Sequence, residues 1–436
     1  MYLRNRFYYA VLAVVLVLIA GQAWSPLFVL GKVLLAVLAV AVLADGVMLW
    51  RWPGITAQRE CAERFSNGDD NEVVIHVDNA YPFVARLHVI DEVPHIFQRR
   101  DVGFDAIVPV ASGADIRYRL RPTQRGVYGF GHIRVFARTA LGLLERRFTC
   151  GTPTDVAVYP SYLMLNEYEL LAMNNNLTEL GIKRIRRAGN NTEFEQIKDY
   201  VQGDDYRTIN WKASARRGSL MVNVYTDERS QQVFSLIDKG RVMQQAFNGM
   251  TLLDYSINAA LVISYVALRK EDKAGLLTFD AQLDDFVPAE RQGAHMQDIL
   301  ESLYGQNTDF DESDFSALCA NVNRLIGKRS LLILYTNFTG LNSLKRQLPY
   351  LQQLNKRHRL LVVFFDDVEL KQFVATPASS TEELYQHVIA EKMDYERRLI
   401  VSTLRQNGIL SLLTEPDKLS INLINKYLEI KARSLI

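Results

Sequence analysis

The chain has 436 residues, with 50 Lys and Arg against 49 Asp and Glu, for a formal net charge of +1. At about 100–200 residues per domain this length holds more than one, and a 48% hydrophobic share with 23% charged residues excludes wholesale disorder. A charge near zero gives no global field for nucleic acid, and three scattered cysteines without a CxxC (Cys61, Cys150, Cys319) exclude a Cys-rich zinc module and argue against a disulfide framework.

Phe7–Trp24 contains a single strongly polar side chain, Gln22, and its length predicts a helix of about 27 Å, close to the thickness of a hydrocarbon core. Leu27–Trp50 is a second apolar stretch, with Lys32 and Asp45 placed where each could snorkel towards an interface. Together they predict a transmembrane hairpin over 1–52. The competing reading is a signal peptide cleaved after Gly21-Gln22-Ala23; the second apolar stretch and the length of the first speak against it. Arg4 and Arg6 precede the first span and Arg51, Arg59 and Arg64 follow the second, while the connection holds Lys32 alone. The positive-inside rule then places both termini in the cytoplasm, with two spans.

From 53 to 165 short alternating runs are separated by turns. Glu72–Asp78, Ala85–Ile90, Asp115–Leu120 and His132–Phe136 read as strands, and Ser66–Asp70, Asn79–Pro82 and Arg125–Gly131 as turns, which predicts an all-β sandwich. From 231 to 436 near-continuous apolar runs (Val233–Ile237, Ala274–Phe279, Leu331–Tyr335, Leu360–Phe365) alternate with helical segments. This is the pattern of a doubly wound α/β domain with a mostly parallel sheet. Leu252–Leu268 is apolar enough for a third span, but Asp254, Ser256, Asn258 and Ser264 interrupt it and favour a buried helix.

No phosphate-binding GxxxxGK[ST] or GxGxxG occurs, and GxSxG and HExxH are absent, so no directly bound nucleotide is expected. His76 and His88 have strand spacing and read as solvated or satisfied groups. Asp309–Asp314 lacks the glycine and the bidentate Glu of a calcium loop and reads as an acidic helix start. Lys183–Arg187 is either a solvated linker or a contact to anionic lipid.

The densest polar segment lies within 166–230. Asp204 and Asp205 are followed by Arg207, Trp211, Ser214 and Arg216. These residues either fix a loop through carboxylate–guanidinium pairs or expose an Arg/Trp recognition surface. No nucleophile–base–orienter set can be assembled from them. The ordered pattern Glu193-Phe194, Tyr200, Gly203-Asp204-Asp205, Arg207, Ile209-Asn210-Trp211 and Ser214-Ala215-Arg216 resembles the signature of the DUF58 family (domain of unknown function 58). The flanking hairpin, the β-rich region and the α/β domain extend the resemblance along the chain.

The resemblance implies that the α/β domain looks like a von Willebrand factor A domain, a Rossmann-type fold. Such domains carry a metal site that begins Asp-x-Ser-x-Ser. Here Asp238 stands first, Gly240 and Val242 replace the serines, Ser313 occupies the later Thr position and Asn337 the later Asp. Magnesium prefers octahedral oxygen ligands with one or two carboxylates, so the remnant Asp238, Ser313 and Asn337 predicts no tightly bound divalent cofactor. The resemblance further implies a protein-interaction module at the inner, cytoplasmic membrane, working as partner or adaptor of a MoxR-type AAA+ ATPase in cell-envelope or stress-related assembly. Its contact candidates are Asp204, Asp205, Arg207, Trp211, Ser214 and Arg216, and no catalysis is expected. The alternative is a metal-dependent hydrolase built on Asp204, Asp205 and Asp238; an envelope scaffold would require the β region to lie outside the cytoplasm.

Overall fold

The computed structural model describes residues 2–22, 24–97, 102–165, 193–202, 204–226, 230–291, 294–377 and 380–433. The basic run Lys183–Arg187 and Gly203 lie outside these residues. Two compact units divide the chain, Met1–Tyr159 and Pro160–Ile436.

In the first unit, β1 (Tyr2–Leu3) leads into two apolar helices, α1 (Asn5–Ala20) and α2 (Ser25–Trp50). Pro26–Trp50 is long and apolar enough to cross a membrane. α1 has 16 residues, about 24 Å, because the chain turns at Gly21 rather than running on to Trp24. Ten strands follow: β2 (Ile55–Cys61), β3 (Arg64–Ser66), β4 (Asn71–Asn79), β5 (Ala85–Asp91), β6 (Gly103–Val108), β7 (Gly113–Leu120), β8 (Gly126–Phe130), β9 (Ile133–Arg138), β10 (Leu144–Cys150) and β11 (Thr154–Tyr159). They form sheets of order β1-β10-β9-β5-β6, β2-β4-β7 and β3-β11-β8 around one apolar core. The period of two explains the packing: Val73, Ile75 and Val77 of β4 point into that core, and His76 points out. One charged pair is buried with them. Arg59 reaches the Asp91 carboxylate through Nε at 3.0 Å, and the Tyr118 hydroxyl donates to the same carboxylate.

Asp45 departs from the snorkelling expected of it. It is fully buried, accepting the amides of Leu143 at 3.0 Å and Leu144 at 2.8 Å and the hydroxyl of Thr139. Leu49 is equally buried, and its carbonyl accepts the Tyr81 hydroxyl at 2.8 Å. The last turns of α2, from Val42 onwards, are therefore covered by the β region, which leaves Pro26–Ala41, about 24 Å of apolar helix, ahead of them. β1 pairs with β10, Tyr2 opposite Glu145 and Leu3 opposite Leu144. Both ends of the hairpin thus dock on the same part of the β region.

In the second unit, β12 (Glu193–Asp199) and β13 (Met221–Thr226) form an antiparallel ribbon with α3 (Trp211–Arg217) in its connection. β14 (Gln232–Asp238) enters a six-stranded sheet. A short hairpin, β15 (Ala246–Phe247) and β16 (Met250–Thr251), leads to α4 (Leu252–Arg269). β17 (Lys273–Phe279), β18 (Leu283–Glu290), α5 (His295–Tyr304), α6 (Phe315–Leu325), β19 (Leu331–Tyr335), α7 (Leu341–Arg357), β20 (Arg359–Phe365), α8 (Val368–Ala375), α9 (Thr381–Gln406), β21 (Leu410–Thr414) and α10 (Leu419–Ala432) complete it. The sheet order is β18-β17-β14-β19-β20-β21, parallel except for β18 at one edge. Side chains of β14 alternate between two cores: Val233 and Ile237 meet α4 and α10, and Phe234 and Leu236 meet α6, α7 and α9. α4 is mostly buried, which is why an apolar helix sits here without needing lipid.

Candidate functional site

β14 is the strand from which the order diverges, with β17 on one side and β19 on the other, and the crevice at its carboxyl end is the usual ligand edge of such a sheet. Asp238 closes β14 there and is fully buried. Its Oδ1 accepts the Gly240 amide at 2.8 Å and the Ser313 hydroxyl, and its Oδ2 accepts the Thr336 hydroxyl at 2.6 Å. Burial pushes this carboxyl above the usual carboxylate range, against the pull of those donors, and nearby Asp280 pushes the same way.

The loop that carries Ser313 explains the missing serine at 240. A Cβ on Gly240 would collide with the Ser313 hydroxyl and stand 2.9 Å from the Asp311 carbonyl oxygen. The carboxylate thus acts as a tie between three segments, capping the turn after β14. Lys239 is buried beside it. Its Nζ donates to Asp284 at 2.5 Å and to the Asn307 carbonyl at 2.9 Å, so the loop is held down from a second point.

Ser313 therefore joins Asp238, whereas the amide oxygen of Asn337 accepts its neighbour's Phe338 amide at 3.0 Å. Thr336, not picked out by the sequence reading, takes the place beside Asp238. Thr336 directly follows an uninterrupted apolar strand and shares the face of Leu332 and Leu334, which marks its position in the sequence but not its partner. Asn337 lines a cleft with Gln245, Asp366, Asp367 and Arg397, whose volume of about 10 Å³ is the space of a single water.

The segment around α3 divides by direction. Asp204 holds its own turn, accepting the Val201 amide at 3.0 Å and Lys198 Nζ at 2.9 Å, and these contacts keep its carboxyl below the usual range. Asp205 caps a short 3-10 turn through the Arg207 amide at 3.0 Å. Ser214 is buried; its hydroxyl donates to the Asn210 carbonyl at 2.8 Å and accepts the Met221 amide at 2.9 Å. Asn210, absent from the candidates, caps α3 by accepting the Ala213 amide at 3.0 Å.

Outward face Tyr206 and Trp211, both 70% exposed, with Arg207 over the Tyr206 ring and Arg216 on the exposed side of α3. The carboxylates and Ser214 build the loop through backbone amides, Lys198 and the Asn210 carbonyl, not through the expected carboxylate–guanidinium pairs, while Tyr206, Trp211, Arg207 and Arg216 stand exposed. Asp204, Asp205 and Asp238 are not brought together. Among the described residues no three His, Cys, Asp or Glu side chains are grouped to hold a metal ion.

Residues 196–377 match the family described as "Protein of unknown function DUF58". The chain is similar to the "Uncharacterized protein YeaD" of Bacillus subtilis (strain 168), at 26% identity over 186 residues. The match spans 43% of this chain and 44% of that protein, less than half of either. Among solved structures it is similar to the conserved hypothetical protein BatB from Bacteroides thetaiotaomicron, at 11% identity and a TM-score of 0.30, covering 47% of this chain and 100% of that one. It is also similar to the CARDB domain of the PF1109 protein from Pyrococcus furiosus, at 14% identity and a TM-score of 0.20, covering 26% and 98%.

Proposed function

We propose that this protein is a membrane-anchored interaction module without catalysis of its own, presenting the loop around α3 to a protein partner in the cytoplasm. The observation that carries this reading is the exposed cluster Tyr206, Arg207 and Trp211 on a scaffold that Asp204, Asp205, Asn210 and Ser214 make rigid. Exposed Trp, Tyr and Arg on a preorganised support are the residue types that dominate binding energy at interfaces. The order of the six-stranded sheet, with Asp238 ending its first strand, supports a von Willebrand factor A-like reading of the α/β unit. A MoxR-type AAA+ ATPase is the proposed partner, in cell-envelope or stress-related assembly, and it rests on the family resemblance.

The proposed topology has α1 and α2 crossing the inner membrane with both termini cytoplasmic. Its support is the placement of Arg4, Arg6 and Arg51, and the docking of both hairpin ends on one part of the β region. No divalent cofactor belongs to this reading. With Asp238 already accepting from three donors and Asn337 turned to its own backbone, a magnesium titration of the full chain should show no saturable binding below about millimolar.

The test is capture of the AAA+ protein by the detergent-solubilised chain. Arg207→Ala and Trp211→Ala should each weaken binding at least tenfold while leaving the unfolding temperature in place. Retention equal to the parent in both variants would overturn the proposed surface, and failure of the parent to retain any AAA+ protein would overturn the partner.

A further inference from the structure

The amino edge of the six-stranded sheet concentrates positive charge. Residues 315–365 hold eight Lys and Arg and no Asp or Glu. Two of the eight, Lys345 and Arg346, lie in the first two turns of α7, at the carboxyl edge. The other six, Arg324, Lys328, Arg329, Lys356, Arg357 and Arg359, lie where α6 and α7 end and β19 and β20 begin. Arg405, in the last turn of α9 before β21, joins them.

Hydrogen bonds hold these turns side by side. The Arg359 amide donates to the Ser330 carbonyl at 2.9 Å, and Arg357 Nη1 donates to the Asn323 carbonyl at 3.1 Å. Asn355 donates to the Gly408 carbonyl at 3.1 Å, which brings in the turn before β21. Neighbouring strands lie about 4.8 Å apart, so the starts of β19, β20 and β21 span about 10 Å, close to the screening length of about 8 Å in physiological salt. Their charges therefore act together. Lys328, Arg329, Lys356 and Arg405 are exposed, and none of them makes an ion pair among the described residues. The carboxyl edge is the opposite in charge: Asp238, Asp280, Asp366 and Asp367 stand at or just past its strand ends.

Three observations indicate the occupant. From 315 to 365 no large apolar side chain is exposed, so the edge lacks the apolar core of a protein interface and the aromatic platform of a single-strand nucleic-acid site. An anionic lipid surface needs neither; each basic side chain facing its headgroups is worth about fivefold in association. The hairpin of α1 and α2 keeps such a surface within reach, at an effective concentration no free partner matches. Nor does the long segment outside the described residues offer a neutralising acidic run, since residues 166–192 hold three Glu against four Lys and Arg.

We propose that the amino edge of the α/β sheet docks electrostatically on the anionic lipid of the membrane that holds the hairpin. This rests on the reading of α1 and α2 as a transmembrane hairpin with the α/β unit on the cytoplasmic side. Docking in this way turns the acidic carboxyl edge of the sheet away from the lipid.

The experiment reconstitutes the full chain, with Cys61, Cys150 and Cys319 replaced by serine or alanine, in phosphatidylcholine vesicles with or without about 30% phosphatidylglycerol. A donor fluorophore is placed on Gln353→Cys near the end of α7 or on Asn342→Cys at its start, both exposed, and a headgroup-labelled lipid is the acceptor. Phosphatidylglycerol should raise energy transfer from residue 353 at least about twofold and should not raise it from residue 342. Sodium chloride at about 0.5 M, or Lys328→Glu with Lys356→Glu, should abolish the rise with circular dichroism unchanged. An equal response at residues 353 and 342, or none at 353, overturns the proposal. An unresponsive edge on a chain that retains duplex DNA through the same two lysines overturns it in favour of nucleic acid. Extraction of the chain from the vesicles by alkaline carbonate would remove the hairpin reading as well, whereas a carbonate-resistant chain with an unresponsive residue 353 removes the docking alone.

Discussion

The amide of Leu144 donates to the Oδ2 of Asp45 at 2.8 Å, joining residues 99 positions apart. A carboxylate inside an otherwise apolar helix is thereby satisfied by the backbone of a strand. Asp45→Leu should strand the amides of Leu143 and Leu144 and the Thr139 hydroxyl, at a cost of about 1–3 kcal/mol for a buried group left unpaired. The melting temperature of the solubilised chain should fall, and fall less for Asp45→Asn, which keeps one acceptor. An unchanged melting temperature in Asp45→Leu would mean that the helix end does not depend on this tie.

Ser214 and Trp211 sit three residues apart on one short helix and should behave oppositely. Ser214→Ala removes the acceptor of the buried Met221 amide and should lower stability by about 1 kcal/mol. Trp211→Ala removes an exposed side chain and should stay within about 0.5 kcal/mol of the parent. Thermal unfolding of the two variants side by side checks this, and a larger loss for Trp211→Ala would return that residue to the packing of the loop.

Asp272 is fully buried and ties α10 to the start of the sheet. It accepts the Gln231 amide at 3.0 Å, Lys431 Nζ at 2.7 Å and the Tyr427 hydroxyl. Removing one partner of a buried pair typically costs about 3–5 kcal/mol, less here because Lys431 keeps some contact with water. Asp272→Ala should therefore destabilise the α/β unit severely, and Lys431→Met should do so much less, since the methylenes still pack and Asp272 retains two donors. Denaturant midpoints of the two variants test the order.

His76 stands exposed between Glu60 and Asp115, whose carboxylates accept from its ring at 2.8 and 2.7 Å and raise its pKa above the ordinary histidine value. A raised folded pKa stabilises the fold below the unfolded value, and that contribution is lost as pH rises through the folded one. An NMR titration of the ring should give a midpoint above about 6.5, moving down in Glu60→Gln and again in Glu60→Gln with Asp115→Asn. A midpoint unmoved by both changes would show that the carboxylates do not set it.

Asp238 titrates with the opposite chemistry. Burial raises its carboxyl, so the folded state holds a proton that the unfolded state has already released. Its stability contribution declines as pH rises from the ordinary carboxylate value through the raised one. Asp238→Asn lacks this dependence, so any stability advantage of the parent should shrink as pH rises from about 4, the ordinary aspartate value, towards neutrality. A difference constant across that range would place the ionisation outside it.

Periodicity made the sheets and most helices readable, because strands buried on both faces must be apolar throughout, as Leu331–Tyr335 is, and half-buried ones must alternate, as β4 does. β18 was missed because Leu283–Glu290 is an edge strand with one exposed face and Asp284, Asp285 and Pro288 in its path. The burial of Asp45 left no trace in its neighbours, since its donors are backbone amides nearly a hundred residues away. Within the candidate site, composition marked the segment around α3 as dense in polar groups but could not say which way each side chain turns. That depended on local hydrogen bonds such as Ser214 to Asn210. Thr336 was overlooked for a related reason: a hydroxyl after an apolar strand acquires meaning only when a carboxylate from a neighbouring strand arrives beside it.

The pairing of Tyr2 with Glu145 also sets a timetable. At a synthesis rate of about 5–20 residues per second, roughly 140 residues and about ten seconds separate the emergence of β1 from that of its partner. The two apolar helices are complete about a third of the way through that interval, while the sheet edge that β1 will cover does not yet exist. Covering this sheet edge thus waits for a strand made roughly 140 residues after β1, and until β1 pairs there the flank of β10 remains an open strand edge.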